Sequence, residues 1–171
     1  MNIFTTGSYA TVTKPHDITL MIADPIYGDE EMINDMIHMG FPSAVFMWPL
    51  DVLKLNKHPD QLLHWVKPVS TKNTSKRYSN FIEVIACYGL EFHGEGMHWS
   101  TRTGIFTDTI LSNKAHAWKK PESLIEKLIA NHYPGHGTVY DPCAGSGTVH
   151  DVCVRMGIPS FSVEIDEKYA R

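Results

Sequence analysis

One segment near the C-terminus constrains the fold more than any other: an apolar run, a glycine-bearing turn and an amphipathic run follow one another without interruption. The apolar run 138–140 predicts a strand, residues 141–148 (DPCAGSGT) predict a tight turn, and 149–156 predicts a helix. A further apolar run, 160–165, predicts the next strand, which ends near Glu164. This order of strand, turn, helix and strand is the unit from which open parallel sheets are built.

A similar unit stands near the N-terminus. The apolar run 18–23 ends in Asp24-Pro25, which is typical of a buried parallel strand. The acidic stretch after Gly28 predicts a helix that ends before Gly40, with acids in the first turn, where they interact favourably with the helix dipole. The remaining predicted elements are strands over 43–48, 62–66 and 81–88, a short helix within 49–57, and a helix from Pro121 to His132.

Alternating strands and helices predict an α/β fold with an open, mainly parallel sheet and helices on both faces. Ligands of such folds lie at the carboxyl ends of the strands, so Asp24 and Asp141 are expected at the same edge. A length of 171 residues is that of one domain. We therefore predict a single domain over residues 1–171, with a short recognition insertion around 68–113.

Charge is distributed unevenly along a chain whose net charge is −4, so there is no overall basic excess that would indicate a nucleic-acid binder. Residues 1–53 contain one lysine and seven acidic residues, whereas residues 54–82 contain six basic residues and one acidic residue. The basic segment is either a solvated loop or a local site for a polyanion. Three unpaired cysteines, and the lack of a signal or membrane-spanning run, predict a cytoplasmic protein with no membrane partner.

The glycine turn favours a nucleoside-bearing cofactor. Gly145 and Gly147 let the backbone approach a ligand closely, and Glu164 follows Asp141 at about the offset where nucleotide-binding folds place an acid for ribose hydroxyls. The turn lacks the Gly-Lys-Ser/Thr of a phosphate loop, and Asp141 would repel a pyrophosphate. S-adenosylmethionine, which carries cationic groups and no phosphate, therefore fits better than ATP or NAD. An ordinary Gly and Ser turn is the alternative for the glycines alone.

The turn Asp24-Pro25-Ile26-Tyr27 suits the methylation of an exocyclic amine such as adenine N6 or cytosine N4. The amine must lose conjugation with its ring to attack a methyl group, and two acceptors on its N–H bonds favour that change. The Asp24 carboxylate and the Pro25 carbonyl can be these acceptors, and Tyr27 can stack on a base extruded from its duplex. A plain turn with a helix-capping Asp is the alternative.

Together these motifs resemble those of the S-adenosylmethionine-dependent DNA amino-methyltransferases. Residues 24–27 are similar to the family's Asp-Pro-Pro-Tyr catalytic motif, and residues 141–148 to its Asp-Pro-Phe-x-Gly-Ser-Gly-Thr cofactor motif. Trp65-Val66-Lys67 with Glu83 resembles its Trp-x-Lys and following Glu, residues 116–121 (HAWKKP) its His-Pro-x-x-Lys-Pro, and residues 164–169 (EIDEKY) its Glu-x-x-x-x-Tyr. The catalytic motif precedes the cofactor motif, as in the permuted group.

The resemblance implies a Rossmann-like methyltransferase fold with circularly permuted motif order. It implies a catalytic target-base pocket at Asp24, Pro25 and Tyr27. The cofactor-binding positions that it implies are Asp141, Cys143, Ala144, Gly145, Gly147, Thr148, Glu164, Lys120 and Pro121. Three residues depart from the family pattern: Ile26 replaces the second proline, Cys143 replaces a phenylalanine, and Ser8 stands where the family often has Asp.

The predicted function is methylation of double-stranded DNA, at adenine N6 because the motif opens with Asp. The residues predicted to contact DNA are Lys67, Lys72, Lys76, Arg77, Trp99 and Arg102, and the small recognition surface predicts a homodimer. Alternatives are cytosine N4 methylation, methylation of RNA or a protein amide, and a non-catalytic DNA- or protein-binding protein that keeps the cofactor fold. No metal site is expected, since the His pairs lack further ligands at metal-binding spacing.

Overall fold

The computed structural model describes residues 1–67, 81–93, 103–108 and 119–169. Within them lie three α-helices: α1 (Glu30–His38), α2 (Glu122–His132) and α3 (Thr148–Met156). Single 3-10 turns occupy Asp51–Lys54 and Glu167–Tyr169. The strands are β1 (Asn2–Thr6), β2 (Ile18–Ala23), β3 (Ser43–Met47), β4 (Gln61–Val66), β5 (Ile82–Tyr88), β6 (Ile105–Phe106), β7 (Thr138–Asp141) and β8 (Ser160–Glu164).

These strands form one eight-stranded sheet in the order β1-β8-β7-β2-β3-β5-β4-β6. From β1 to β3 all neighbours are parallel, whereas β5 runs antiparallel between β3 and β4, and β6 pairs parallel with β4. The predicted α/β fold with a mainly parallel sheet is therefore confirmed. Asp24 follows β2 directly and Asp141 ends the neighbouring β7, so both lie at the carboxyl edge, as expected.

Helices cover both faces of the sheet, each through an apolar stripe. On one face, α2 and α3 pack on residues such as Leu20, Phe46 and Trp65. On the other face, Ile33, Met36 and Ile37 of α1 pack on alternate residues of the same strands. The strands between the two layers are buried on both faces, which explains why they read as unbroken apolar runs.

Local signals in the sequence set the ends of α1 and α3. The Asp29 side chain accepts the backbone N–H of Met32 at 3.0 Å and so caps α1 at its N-terminus. Helix α3 begins after Gly147 (φ +83°) and ends at Gly157 (φ +69°), both in the left-handed region that glycine adopts without strain. These caps place α3 directly behind the glycine turn.

Two elements differ from the sequence-based expectation. Strand β1 was not predicted, because it is short and mostly exposed. The helix predicted within residues 49–57 is a single 3-10 turn, in which Val52 and Leu55 pack on the core but Leu50 and Leu53 are exposed. The strand predicted over 81–88 is confirmed as β5, which lies within the insertion predicted around 68–113 and pairs on both sides in the sheet.

The rest of that insertion lies mostly outside the described residues, which omit 68–80, 94–102 and 109–118. Within the described part of the chain, no helix combines the length and the apolar character that crossing a membrane requires.

Candidate functional site

A cavity of about 460 Å³ opens at the carboxyl edge of the parallel strands. It extends from Asp24, after β2, to Asp141 and Glu164, at the ends of β7 and β8. Lys119 and Lys120, which precede α2, form part of its wall. Its volume is that of a site for a small organic ligand. The structure thus places Asp24 of one predicted motif and most of the glycine turn of the other around one continuous space.

The glycine turn forms one end of this cavity. Ala144 donates its backbone N–H to the Val163 carbonyl at 2.8 Å, and Gly147 donates to the Ala144 carbonyl at 2.7 Å, so the turn is fastened to β8. Gly145 has a φ of +50°, and a Cβ on it would meet no atom within 4 Å, so it opens onto free space. Backbone atoms can therefore contact a ligand directly at this position.

Glu164 links the two loops that border the cavity. Its Oε2 accepts the backbone N–H of Gly145 at 2.5 Å, and its Oε1 accepts that of Asp166 at 2.9 Å. Gly7, after β1, also donates its N–H to the Glu164 backbone carbonyl at 2.8 Å. Because each carboxylate oxygen has two acceptor sites, Glu164 can still accept ligand hydroxyls after making these bonds.

Asp141 is a buried carboxyl group, 3% exposed, and no described cation forms an ion pair with it. Burial raises its pKa to about 8, the negative charges of Asp24 and Glu164 act in the same direction, and the Cys143 backbone N–H, at 3.1 Å, opposes the rise. A cationic ligand in the cavity would favour the ionised form. Burial also raises the pKa of the Cys143 thiol, and the nearby Asp141 carboxylate adds to this rise, so Cys143 lines the site as a protonated thiol.

The other end of the cavity is formed by Asp24 and Ile26 of the turn 24–27, whereas Pro25 and Tyr27 do not line it. Asp24 Oδ1 pairs with Lys120 Nζ at 2.6 Å. Burial raises the pKa of Asp24 and the Lys120 ammonium opposes that rise. Pro25 is buried, whereas the Ile26 side chain lines the cavity and is 70% exposed. Ile26 therefore presents an exposed apolar side chain to the cavity.

Tyr27 is held at two points. Its Oη donates to Glu83 Oε2 at 2.6 Å, and its ring meets Trp48 edge-to-face with centroids 5.0 Å apart. Burial raises the pKa of Tyr27 well above its usual range, and the nearby carboxylates Asp24 and Glu83 add to this. The phenol is thus a neutral hydrogen-bond donor with a fixed ring plane.

Glu83 and Lys67 form a buried ion pair behind Tyr27, each side chain being 6% exposed. The Lys67 ammonium also lies over the Trp48 and Trp65 rings, 5.0 Å and 5.1 Å from their centroids. The prediction that Lys67 contacts DNA phosphates is therefore corrected: its charge faces Glu83 inside the protein. The other predicted DNA contacts, Lys72, Lys76, Arg77, Trp99 and Arg102, lie outside the described residues.

The predicted cofactor residues fall into three groups. Asp141, Cys143, Ala144, Gly145, Thr148 and Glu164 line the cavity. Gly147 and Pro121 do not, and instead begin α3 and α2. Lys120 lines the cavity too, but its ammonium lies between Asp24 and Glu83, at the end away from the glycine turn.

Sequence reasoning missed other lining residues, among them Tyr9, Lys119 and Asp166. Tyr9 follows the unpredicted β1, so no local pattern could have placed it. Among the described residues, no group of three or more His, Cys, Asp or Glu side chains is arranged to hold a metal ion.

Residues 91–171 match the model of a family described as DNA methylase (N6_N4_Mtase). The match covers 81 of the 171 residues, and the chain is similar to this family over that part. The resemblance drawn from the motifs is thereby confirmed, and the match includes the glycine turn, Glu164 and Lys120. No curated protein matches the chain.

Several solved structures share the fold. The M1.HpyAVI–SAM complex aligns with a TM-score of 0.64 and 18% identity, over 90% of this chain and 86% of that one. The PvuII DNA methyltransferase, named as cytosine-N4-specific, aligns with a TM-score of 0.69 and 13% identity, over 99% and 84%. TTHA0409 from Thermus thermophilus, complexed with S-adenosyl-L-methionine, aligns with 0.67 and 15%, over 99% and 90%. These similarities confirm the predicted Rossmann-like fold.

Proposed function

We propose that this protein transfers a methyl group from S-adenosylmethionine to the exocyclic amine of a base in double-stranded DNA. One observation carries the proposal: a single cavity connects the Asp141 and Glu164 carboxylates to Asp24 and the turn that bears Tyr27. The match of residues 91–171 to the DNA methylase family supports DNA as the substrate. Two of the solved structures with this fold are complexes with the same cofactor, which supports its identity.

The residues at the glycine turn fit this cofactor. Buried Asp141, whose pKa is raised to about 8, gains most from a cationic ligand, and Glu164 retains acceptor capacity for ribose hydroxyls. Gly145 leaves room for close backbone contact. When bound, S-adenosylmethionine supplies a methyl group on a positively charged sulfur as the electrophile. Asp141 would hold a cationic group of the cofactor, and Glu164 would accept its ribose hydroxyls.

The turn 24–27 acts on the other reactant. The Asp24 carboxylate and the Pro25 carbonyl accept the N–H bonds of the target amine, which directs the nitrogen lone pair away from the base ring and toward the methyl donor. As the new N–C bond forms, the bond between the methyl group and sulfur breaks and its electron pair stays on the sulfur of a neutral thioether. Asp24 stabilises the positive charge that develops on the amine, and the surplus proton then leaves to water. Tyr27, fixed by Glu83 and Trp48, limits where an extruded base can lie.

Adenine N6 is the proposed target, because the motif opens with Asp24, and cytosine N4 is the second candidate, because the PvuII enzyme of similar fold is named for it. Mass spectrometry of nucleosides from methylated DNA distinguishes the two products. N6-methyladenine supports the first assignment, and N4-methylcytosine replaces it with the second.

Two variants test the reaction itself with tritium-labelled cofactor and mixed duplex DNA. Asp24→Ala is expected to abolish labelling of DNA while calorimetry shows nearly unchanged cofactor binding. Gly145→Trp fills the opposite end of the cavity and is expected to abolish cofactor binding. Full DNA labelling by Asp24→Ala would refute the catalytic assignment, and binding of cofactor without any labelling by the wild type would favour a non-catalytic binding protein.

DNA binding is proposed to use the basic residues of the segment 68–80, with salt-sensitive affinity. A homodimer is proposed because one small chain offers little recognition surface. Sedimentation with and without a DNA duplex measures the stoichiometry, and a single protomer on the duplex at saturating protein would contradict the dimer.

A further inference from the structure

Four charged side chains form a cluster, here called the carboxylate–lysine cluster, at the target-base turn: Asp24, Lys67, Glu83 and Lys120. Lys67, Glu83 and Lys120 are 10% exposed or less, whereas Asp24, which faces the cavity, is 32% exposed. Lys120 Nζ lies 2.6 Å from Asp24 Oδ1 and 3.4 Å from Glu83 Oε2. Glu83 pairs through its other oxygen, Oε1, with Lys67. The charges balance, as buried ionic groups require, yet one ammonium is shared by two carboxylates.

This sharing matters for the proposed reaction. Asp24 must accept an N–H bond from the substrate, but in the protein alone its Oδ1 binds Lys120. A buried ammonium that simply lost this partner would be left uncompensated, at a high cost. Glu83 lies on the far side of the same ammonium and can keep it paired. Lys120 therefore has a second acceptor at hand when Asp24 turns to the amine.

Glu83 also controls the aromatic side of the pocket. The oxygen that faces Lys120, Oε2, is the one that accepts the Tyr27 hydroxyl at 2.6 Å. The Lys120 ammonium lies 5.1 Å from the Tyr27 ring centroid, on the same pocket wall. One carboxylate oxygen thus fixes the ring that borders the base and holds the ammonium that borders Asp24.

We propose that Glu83 is a positioning residue of the target-base pocket, which takes over Lys120 from Asp24 when a planar amine binds, and that Lys120 serves Asp24 rather than the cofactor. This inference rests on the proposed function and adds to it two residues that act through Asp24. It gives the buried Lys67 a role as well, because Lys67 balances the Glu83 charge on the side away from the substrate.

Removing the charge of Glu83 and removing that of Lys120 should shift the pKa of Asp24 in opposite directions. Among described residues, the groups facing Asp24 are Lys120, Glu83, Tyr27 and, across the cavity, Asp141. Neutralising Glu83 leaves Lys120 to Asp24 alone, which lowers the pKa of Asp24 and retains the ammonium on the acceptor that the amine needs. Removing the Lys120 charge instead raises the pKa of Asp24.

The experiment measures single-turnover methylation of duplex DNA with labelled cofactor between about pH 5 and about pH 9. Glu83→Gln is expected to lower the rate about tenfold to a hundredfold, with unchanged cofactor affinity, and to shift the acid limb of the pH profile downward by about one unit. Lys120→Met is expected to shift the acid limb upward by about one unit. Glu126→Gln, an exposed carboxylate paired with Arg155 at 3.0 Å, is the matched control and should leave the profile unchanged.

Tyr27→Phe provides an independent test if Glu83→Gln does not fold, because it keeps the ring and removes its bond to Glu83. The Tyr27 hydroxyl also lowers the pKa of Asp24 directly, and without this donor Glu83 draws Lys120 more strongly, so the acid limb should move upward. Shifts in the same direction for Glu83→Gln and Lys120→Met, or unshifted profiles for Lys120→Met and Tyr27→Phe, overturn the positioning role alone. A wild-type protein that labels no DNA overturns the proposed function, and the positioning role with it.

Discussion

Replacing Asp141 by Asn should make the protein more stable and at the same time impair cofactor binding. The Asp141 carboxyl is buried, and its pKa rises from 3.8 to about 8 on folding. Because the folded-state pKa lies above the unfolded-state value, the favourable contribution of this group is complete below about pH 4 and is lost as the pH rises through about 8. At about 1.4 kcal/mol per pKa unit, the loss at pH 7 is on the order of 4 kcal/mol.

Asn is neutral at every pH and can still accept the Cys143 backbone N–H with its amide oxygen. In denaturant unfolding of the cofactor-free protein at pH 7, the free energy of unfolding of Asp141→Asn should therefore be up to about 4 kcal/mol higher than that of the wild type. This difference should vanish near pH 4. Asp60→Asn is the matched control, because Asp60 is exposed and accepts the backbone N–H of Gly89 at 2.7 Å. Its stability should follow that of the wild type.

Cofactor binding gives the complementary measurement. A cation beside Asp141 lowers the pKa of the carboxyl, so binding at pH 7 should release up to about one proton from the wild type and fewer from Asp141→Asn. Calorimetry in buffers of different ionisation enthalpy counts these protons. The reasoning is refuted if Asp141→Asn is not more stable than the wild type at pH 7, or if the same gain persists at pH 4.

Two further predictions concern stability and thiol reactivity. A Cβ at Gly137 (φ +79°) would lie 2.6 Å from the Asp17 carbonyl, which accepts the Thr138 N–H. Gly137→Ala should therefore lower the free energy of unfolding in urea by about 3 kcal/mol, against about 1 kcal/mol for Gly135→Ala, where φ is +85° but the space is open. Equal losses in the two variants would contradict the close contact. Burial raises the pKa values of the Cys87 and Cys153 thiols to about 12, so iodoacetamide should modify them at the rate of unfolding, and rapid labelling of the folded protein would disprove their inertness.

The fold was predictable wherever a strand or helix carries its own pattern. Strands β2, β7 and β8 are buried on both faces and therefore read as apolar runs, and α1 carries its cap and its acidic first turn within its own sequence. Strand β6 has two residues and β1 is a half-exposed edge, so both depend on distant partners for their conformation. No local period could reveal them.

Some residues of the candidate site could likewise be placed from the sequence, and others could not. Asp24, Asp141 and Glu164 follow strands whose direction the sequence predicts, so their placement at one edge could be inferred. The pairing of Lys67 with Glu83 depends on β5 entering the sheet antiparallel beside β4, and on both side chains facing the interior. The basic run around Lys67 indicated a surface charge, because charge composition carries no information about such a partner.

Strand β1 also determines when the site can be completed during synthesis. Among the described strands it pairs with β8 alone, and its last residue, Thr6, lies opposite Glu164. Gly7, the next residue, lines the cavity and bonds to the Glu164 carbonyl. The ribosome makes β1 long before β8, and β1 cannot pair until nearly the whole chain has been synthesised, so this wall of the cavity forms late. A nascent chain stalled before β8 should thus hold a folded centre, yet no complete pocket for the methyl donor.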